Sequence, residues 1–231
     1  MAASSGVKLK IVLLLDYTVG SDGVVAKNNI ASIQDLKGKR IGVEKGTIAH
    51  FTLLKFLEKA GLSLDEVNLK YYDLNSLQEA FLENKVDAVS LYEPYMSTLI
   101  EKGNGHLIFS SKEIPRSICD ILFVKEDVVR KNPGLIDHWI ASWGLAIKMM
   151  DHENYLENLS HLNGTPKGNL EESLKGIFFT NMAENNMAFG TKNKPGYLLE
   201  SLKEMEDFMI EQNVLKKRLP LKSMIRFKAD E

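Results

Sequence analysis

The chain has 231 residues, of which 44% are apolar, and its 29 basic and 31 acidic side chains leave a net charge of −2. That length accommodates one large domain or two lobes, each with an ordinary core, and the near-neutral balance gives no electrostatic reason to expect nucleic acid or another polyanion as partner. The single cysteine, Cys119, excludes an internal disulfide and a cysteine-rich zinc site; beside the apolar run 121–124 it reads as a small buried hydrophobe.

Residues 1–6 are short, small and polar; the apolar run 9–15 is too short to span a bilayer, and because it ends in Asp16 a buried strand fits it better than a signal core. With its Ile and Val content, the segment 8–15 predicts a buried strand, and no export signal is expected. A turn-rich loop over 16–23 carries Gly20, Asp22 and Gly23. A short strand follows at 24–26, then one helical turn over 32–38 closed by Gly38. The strand 40–43 breaks at Gly46-Thr47 into a helix that runs to Ala60 and ends at Gly61. The pattern continues with a strand at 67–72, a helix at 75–84 and a strand at 86–91. Glu93-Pro94 opens a helix towards Gly103, with Pro94 at a permitted first-turn position. Strands at 107–109 and 120–124 complete the series. Such alternation predicts an α/β sheet with much parallel pairing. Beyond Val124 the segments 127–131, 134–150, 153–162, 170–178 and 195–212 all read as helices with no strand between them. Trp139, Trp143, Ile147 and Met150 recur at helical spacing and predict a core stripe.

The Gly46-Thr47 turn carries the most chemistry. A strand that breaks at Gly-Thr into a helix offers unpaired backbone N–H groups and the positive end of a helix dipole, which suits a small anion. Thr47 is also a good N-cap, so plain helix capping is the alternative reading. His106, His138, His152 and His161 have no shared metal spacing, and no phosphate-binding lysine loop or Ser-His-Asp arrangement is present. The cluster Lys216-Lys217-Arg218 reads as a solvated helix end.

Several segments taken in order carry a resemblance. They are the loop 16–26, the run 33–43 with Gly46-Thr47, the segment 77–81 leading to Lys85-Val86-Asp87-Ala88, and Tyr92-Glu93-Pro94-Tyr95; similarity continues through 128–133 and 183–190. Together they resemble the solute-binding proteins of ABC importers for nitrate, sulfonates and taurine, and their thiamine-precursor-binding relatives. The resemblance implies a two-lobed, type II periplasmic-binding-protein-like α/β fold with a helical C-terminal tail. Residues 1–20 and 119–231 would form the first lobe and 21–118 the second, with a ligand gripped between them by hinge closure. Family members begin with two further βα units, so the first lobe is expected to be N-terminally incomplete, with residues 2–6 closing a preceding helix. An exposed sheet edge would then invite self-association.

The same resemblance implies the ligand groups. Gly46 and Thr47 would meet an anionic head, and Thr18 a ligand oxygen. Asp16 or Asp22 would meet an amine or tie down its loop. Tyr92, with Tyr95, would wall the pocket. Glu93 would line it or cap the next helix, and Asp120 would serve the hinge or cleft. The expected partners are a small anion or zwitterion (a sulfonate, taurine, nitrate or a thiamine precursor) and an ABC permease or signalling protein, in a periplasmic or other extracytoplasmic location. No cofactor, metal or catalytic residue is implied. The enzymatic alternative on this scaffold is a thiamine pyrimidine-precursor synthase, which uses a histidine and iron; His50 is the histidine nearest the expected site, and a cysteine-rich iron motif is lacking.

Overall fold

The computed structural model describes residues 6–227, and the chain divides into two units. An inserted unit joins Thr18–Ile118 to Lys175–Ile177; a terminal unit is built from Met1–Tyr17, Cys119–Leu174 and Phe178–Glu231. The reading of 2–6 as the end of a helix lies, apart from Gly6, outside the described residues. Strand β1 (Leu9–Thr18) carries the chain from the terminal into the inserted unit.

The inserted unit is a five-stranded sheet. β2 (Asp22–Lys27), β3 (Arg40–Val43), β4 (Asn68–Tyr71), β5 (Ala88–Tyr92) and β6 (Gly105–Ser110) lie in the order β4-β3-β5-β2-β6. β3 is parallel to both β4 and β5, whereas β2 runs antiparallel to β5 and β6. The sheet is therefore mixed, with parallel pairing confined to one half. Val24, Val25 and Ala26 are fully buried on β2, an interior strand, which explains why the run lacks polar alternation. Helix α1 (Ile48–Ala60) ends at Gly61, whose φ of 71° is the left-handed conformation glycine adopts without strain. Helix α2 (Leu74–Leu82) is capped by Asp73, which accepts from the N–H groups of Asn75 and Ser76. With α3 (Tyr95–Gly103) it packs Leu77, Phe81, Met96 and Leu99 against Val25, Val89 and Leu91. Arg40 grips Asp87 through Nε (3.0 Å) and Nη2 (2.7 Å), and its backbone N–H donates to the same carboxylate at 2.8 Å. These bonds fix the register between the starts of β3 and β5, and they hold the Asp87 carboxyl below its ordinary pKa.

In the terminal unit, β7 (Cys119–Lys125), β1 and β8 (Ile177–Phe179) form a three-stranded sheet with β1 central. The helices are α4 (Glu126–Lys131), α5 (Pro133–Met149), α6 (Tyr155–Asn163), α7 (Lys167–Leu174), α8 (Met182–Phe189), α9 (Tyr197–Glu211) and the short α10 (Leu221–Met224). The expected helix over 170–178 is corrected: α7 stops at Leu174, and the β-favouring Ile177-Phe178-Phe179 pairs with β1 instead. So the tail does contain a strand. Asn185 pins α8 to β1. Its Oδ1 accepts from Leu14 N–H at 2.9 Å, and its Nδ2 donates to Leu14 C=O at 3.0 Å and to Thr180 Oγ1 at 2.9 Å. Around this polar pin, Ile11, Leu14, Ala188, Phe189, Leu198 and Leu199 form a buried core, with half-buried Cys119 against it. The predicted α5 stripe also divides. Trp143 packs with Ile140 on Val12, Leu13 and Ile136 and donates Nε1–H to Thr180 C=O at 2.8 Å, whereas Trp139 is exposed. Among the described residues no helix is long and apolar enough to cross a membrane.

Candidate functional site

In the inserted unit the parallel strands β3 and β5 lie side by side and end at the same edge of the sheet. Two turns therefore meet there: residues 44–47, entering α1, and residues 92–94, entering α3. The C-terminal edge of parallel strands is where α/β folds usually seat small ligands. Gly46 has a φ of +75°, a left-handed conformation that turns the chain into α1. Thr47 is extended and caps the helix: its hydroxyl accepts from His50 N–H at 3.4 Å and donates to Glu44 C=O at 2.7 Å. Gly46 N–H donates to His50 Nδ1 at 3.2 Å. Both groups expected to meet an anion are thus engaged within the turn. The donors left by helix geometry are the next N–H groups, of Ile48 and Ala49, which have no carbonyl one turn earlier to pair with.

His50 was not among the predicted ligand residues, yet it organises this turn. It is buried, and its ring meets Tyr71 edge-on at 5.6 Å. Burial, and then the nearby Lys45 charge, hold its pKa below the ordinary histidine value, which keeps Nδ1 available as an acceptor. The Gly46–His50 spacing of four residues across a helix start is the sequence signal that marks it. Lys45 Nζ stands 5.3 Å from the Tyr71 ring centre and brings a cation to the same turn.

Tyr92 lies directly opposite Asp22 in the β2–β5 register and meets Tyr95 edge-on at 5.4 Å. Its hydroxyl is held above the ordinary tyrosine pKa by burial first, then by Tyr95, Glu44 and Asp22. Tyr92, Asp22 and the 44–47 turn are therefore neighbours. Glu93 instead turns towards its own helix: Oε2 accepts from Ser97 N–H at 3.1 Å and Oε1 from the Ser97 hydroxyl at 3.0 Å. That is the capping role weighed for it. Thr18 Oγ1 is buried and has no hydrogen-bond partner among the described residues.

The remaining two predicted residues belong to the terminal unit. Asp16 and Asp120 face each other across β1 and β7. Burial, and then the charge of Asp120, raise the Asp16 carboxyl to about 7.

The family model described as NMT1/THI5 like matches residues 1–150. Over 138 residues the chain is 34% identical to a protein of Brucella abortus (strain 2308) named as a binding protein, covering 58% of this chain and 43% of that one. It is 24% identical over 209 residues to the taurine-binding periplasmic protein of Escherichia coli (strain K12), covering 84% of this chain and 64% of the other. The chain thus spans less than two thirds of these relatives. Among solved structures, the periplasmic aliphatic sulphonate-binding protein SsuA of E. coli superposes with a TM-score of 0.74 at 19% identity, over 97% of this chain and 75% of that one. The desulfurization enzyme DSZB superposes with a TM-score of 0.62 at 16% identity, over 96% of this chain and 77% of that one. The fold is the α/β fold of these periplasmic binding proteins, and an enzyme shares it.

Proposed function

The chain belongs to the NMT1/THI5-like family, and on that premise we propose that it binds a small anionic or zwitterionic solute without making or breaking a bond. Sulfonate, taurine, nitrate and thiamine-precursor-like solutes form the candidate class, and an ABC-type permease or a signalling protein is the proposed partner, in an extracytoplasmic setting. The observation that carries this reading is the start of α1 at the C-terminal edge of β3 and β5, beside Lys45 and walled by Tyr92. The amide donors and the dipole end suit an anionic head. Asp22 beside Tyr92, and the carboxyl pair Asp16 and Asp120 in its own unit, suit an ammonium group. The orphan hydroxyl of Thr18 suits a ligand oxygen. Gly46, Thr47 and Glu93 are proposed to shape the edge through the bonds they already make.

The enzymatic alternative would ask His50 to act as an acid or base. Its buried ring, with Nδ1 engaged by Gly46 N–H, favours a turn-holding role instead.

The test is a thermal-shift screen against taurine, alkanesulfonates, nitrate, bicarbonate and pyrimidine precursors, followed by calorimetry on Ile48→Pro. Ile48 is the first helical residue and its predecessor Thr47 is extended (ψ 175°), so proline fits there and deletes one N–H donor without disturbing the helix. An unchanged melting temperature with about tenfold or more loss of affinity is expected, since a hydrogen bond to a charged group contributes about 1.5–3 kcal/mol. Unchanged affinity would overturn the placement of the anion, and no binding across the screen would overturn the solute class.

A further inference from the structure

The terminal unit has a pocket of its own, of about 300 Å³. On α5, Asp137 and Ile140 stand three residues apart and share a side of the helix; on α8, Met182, Asn185 and Phe189 do the same at spacings of three and four. β1 has a register shift between Ile11 and Leu13, and the neighbours Val12 and Leu13 both line the pocket there. Past α10, Ile225 bridges to Ile11, and Arg226 N–H donates to Ile11 C=O at 2.9 Å. These bonds tie Arg226 and Phe227, which also line the pocket, to the same strand. Protein interiors rarely leave a void so much larger than a water molecule, and the volume falls at the small end of the range for ligand pockets.

The lining separates into apolar walls and one ion pair. Val12, Leu13, Ile140, Met182, Phe189 and Phe227 supply the walls. The Asn185 amide is spent on Leu14 and Thr180, and Asn186 is exposed and neutral. There remain Arg226 and Asp137, joined by Arg226 Nη2 donating to Asp137 Oδ1 at 2.9 Å. The partners are unequally placed: the Arg226 side chain is 29% exposed and that of Asp137 65%. Water therefore solvates the carboxylate, whereas the guanidinium is mostly buried. Among the described residues, Asp137 is the one side chain that meets its fork of N–H donors. A mostly buried guanidinium with unspent donors beside apolar walls suits an anion with an apolar body, and its planar fork matches a carboxylate. Because Asp137 already shares its charge, a single negative charge fits better than a phosphate dianion. A volume of about 300 Å³ holds about ten waters, and so about ten non-hydrogen atoms, the size of octanoate. We propose that this pocket binds an aliphatic monocarboxylate of medium chain length, its chain between the apolar walls and its carboxylate on Arg226. The inference is independent of the solute-binding reading.

Calorimetry of the full chain with octanoate gives the test, and a single saturable site is expected. Octan-1-ol and octylammonium keep the alkyl chain but lose or reverse the charge. Both should bind about tenfold or more weakly, as should octanoate to Arg226→Gln, the factor that a hydrogen bond to a charged group supplies. Asp137→Asn removes the competing carboxylate and should tighten octanoate about threefold, the scale of an exposed ion pair. Ile140→Phe adds bulk inside the pocket and should lose binding with native circular dichroism. No saturable binding, equal affinity for octanoate and octylammonium, or an Arg226→Gln protein that binds as tightly as the unmodified chain would overturn the proposal. If Arg226→Gln fails to fold, the sign of the Asp137→Asn effect decides, because unchanged or weaker binding there contradicts a carboxylate on Arg226.

Discussion

The two units solve the burial problem differently. In the inserted unit, a five-stranded sheet packs its interior strand β2 between neighbours on both sides, and α1 and α2 supply Phe56, Leu77 and Phe81 with no measurable exposure. Its bidentate ion pair, Arg40 to Asp87, sits at the strand starts and sets register. The terminal unit has a sheet of three strands, one of them only three residues long. It secures its central strand β1 with a buried amide and leaves most of α5 exposed. A unit held by apolar burial tolerates the loss of a single polar group, whereas one pinned through a buried amide does not.

The largest effect expected from that contrast is in Asn185→Ala. The substitution strands the N–H of Leu14 and removes one of the two donors to its C=O, which keeps the Thr180 hydroxyl; leaving a buried polar group unpaired costs about 1–3 kcal/mol. A loss of roughly 2–3 kcal/mol is expected, read by urea melts together with amide exchange. Protection should fall at Leu14 and Ile11, while Ile41 and Val89 in the inserted unit hold theirs. Equal loss in both regions would break the comparison and mean that they unfold as one.

A smaller effect is expected at a buried polar pivot of the other unit, His50. His50→Phe keeps a ring against Tyr71 but removes the acceptor for Gly46 N–H, at a cost of about 1–2 kcal/mol. It should also alter the acid limb. The folded pKa of His50 lies below its unfolded value, so the unfolded chain takes up the proton first and stability falls as pH drops below the ordinary histidine range. That part of the acid sensitivity should disappear in the variant. If it persists unchanged, His50 is not the group that titrates.

What the sequence made legible follows the same divide. The Arg40–Val43 strand and the start and end of α1 were readable because each has a local cause: β-branched residues, Thr47 as cap, Gly61 at positive φ. The helical reading of 170–178 failed because the partner of Ile177–Phe179 is β1, some 160 residues earlier in the chain, and no local signal reports a pairing that distant. The α5 stripe was readable as helical, but periodicity cannot say which apolar face is covered, and Trp139 lies on the face that is not. At the site, the neighbourhood of Tyr92, Asp22 and the 44–47 turn follows from the adjacency of β3, β5 and β2. The engagement of Gly46 by His50 is a side-chain bond, visible only as a spacing of four. Motif residues also proved divided in role: Asp87 and Asn185, both in segments that carried the resemblance, hold strands in place.

The smallest effect concerns Asp16 and depends on pH in a direction that can be worked out. Its folded pKa, about 7, is above the ordinary aspartate value of 3.8. Between those two values the folded chain holds a proton that the unfolded chain has released, so stability declines as pH rises through the window and the penalty is complete above it. A shift of that size would correspond to about 4 kcal/mol for a fully buried group, but Asp16 is half-exposed and water screens most of it, leaving about 1 kcal/mol. Asp16→Asn should therefore raise the melting temperature by a few degrees at pH 8 and by nothing near pH 4, and Asp120→Asn should do the same more weakly, because the Asp120 charge is the lesser cause. If the carboxyl pair also receives an ammonium group, affinity for an amine-bearing solute should grow as pH passes 7 and vanish in Asp16→Asn, while an amine-free anion binds both forms alike. A stability gain without that split in affinity would make the pair a cost of burial in the terminal unit and leave ligand recognition to the inserted one.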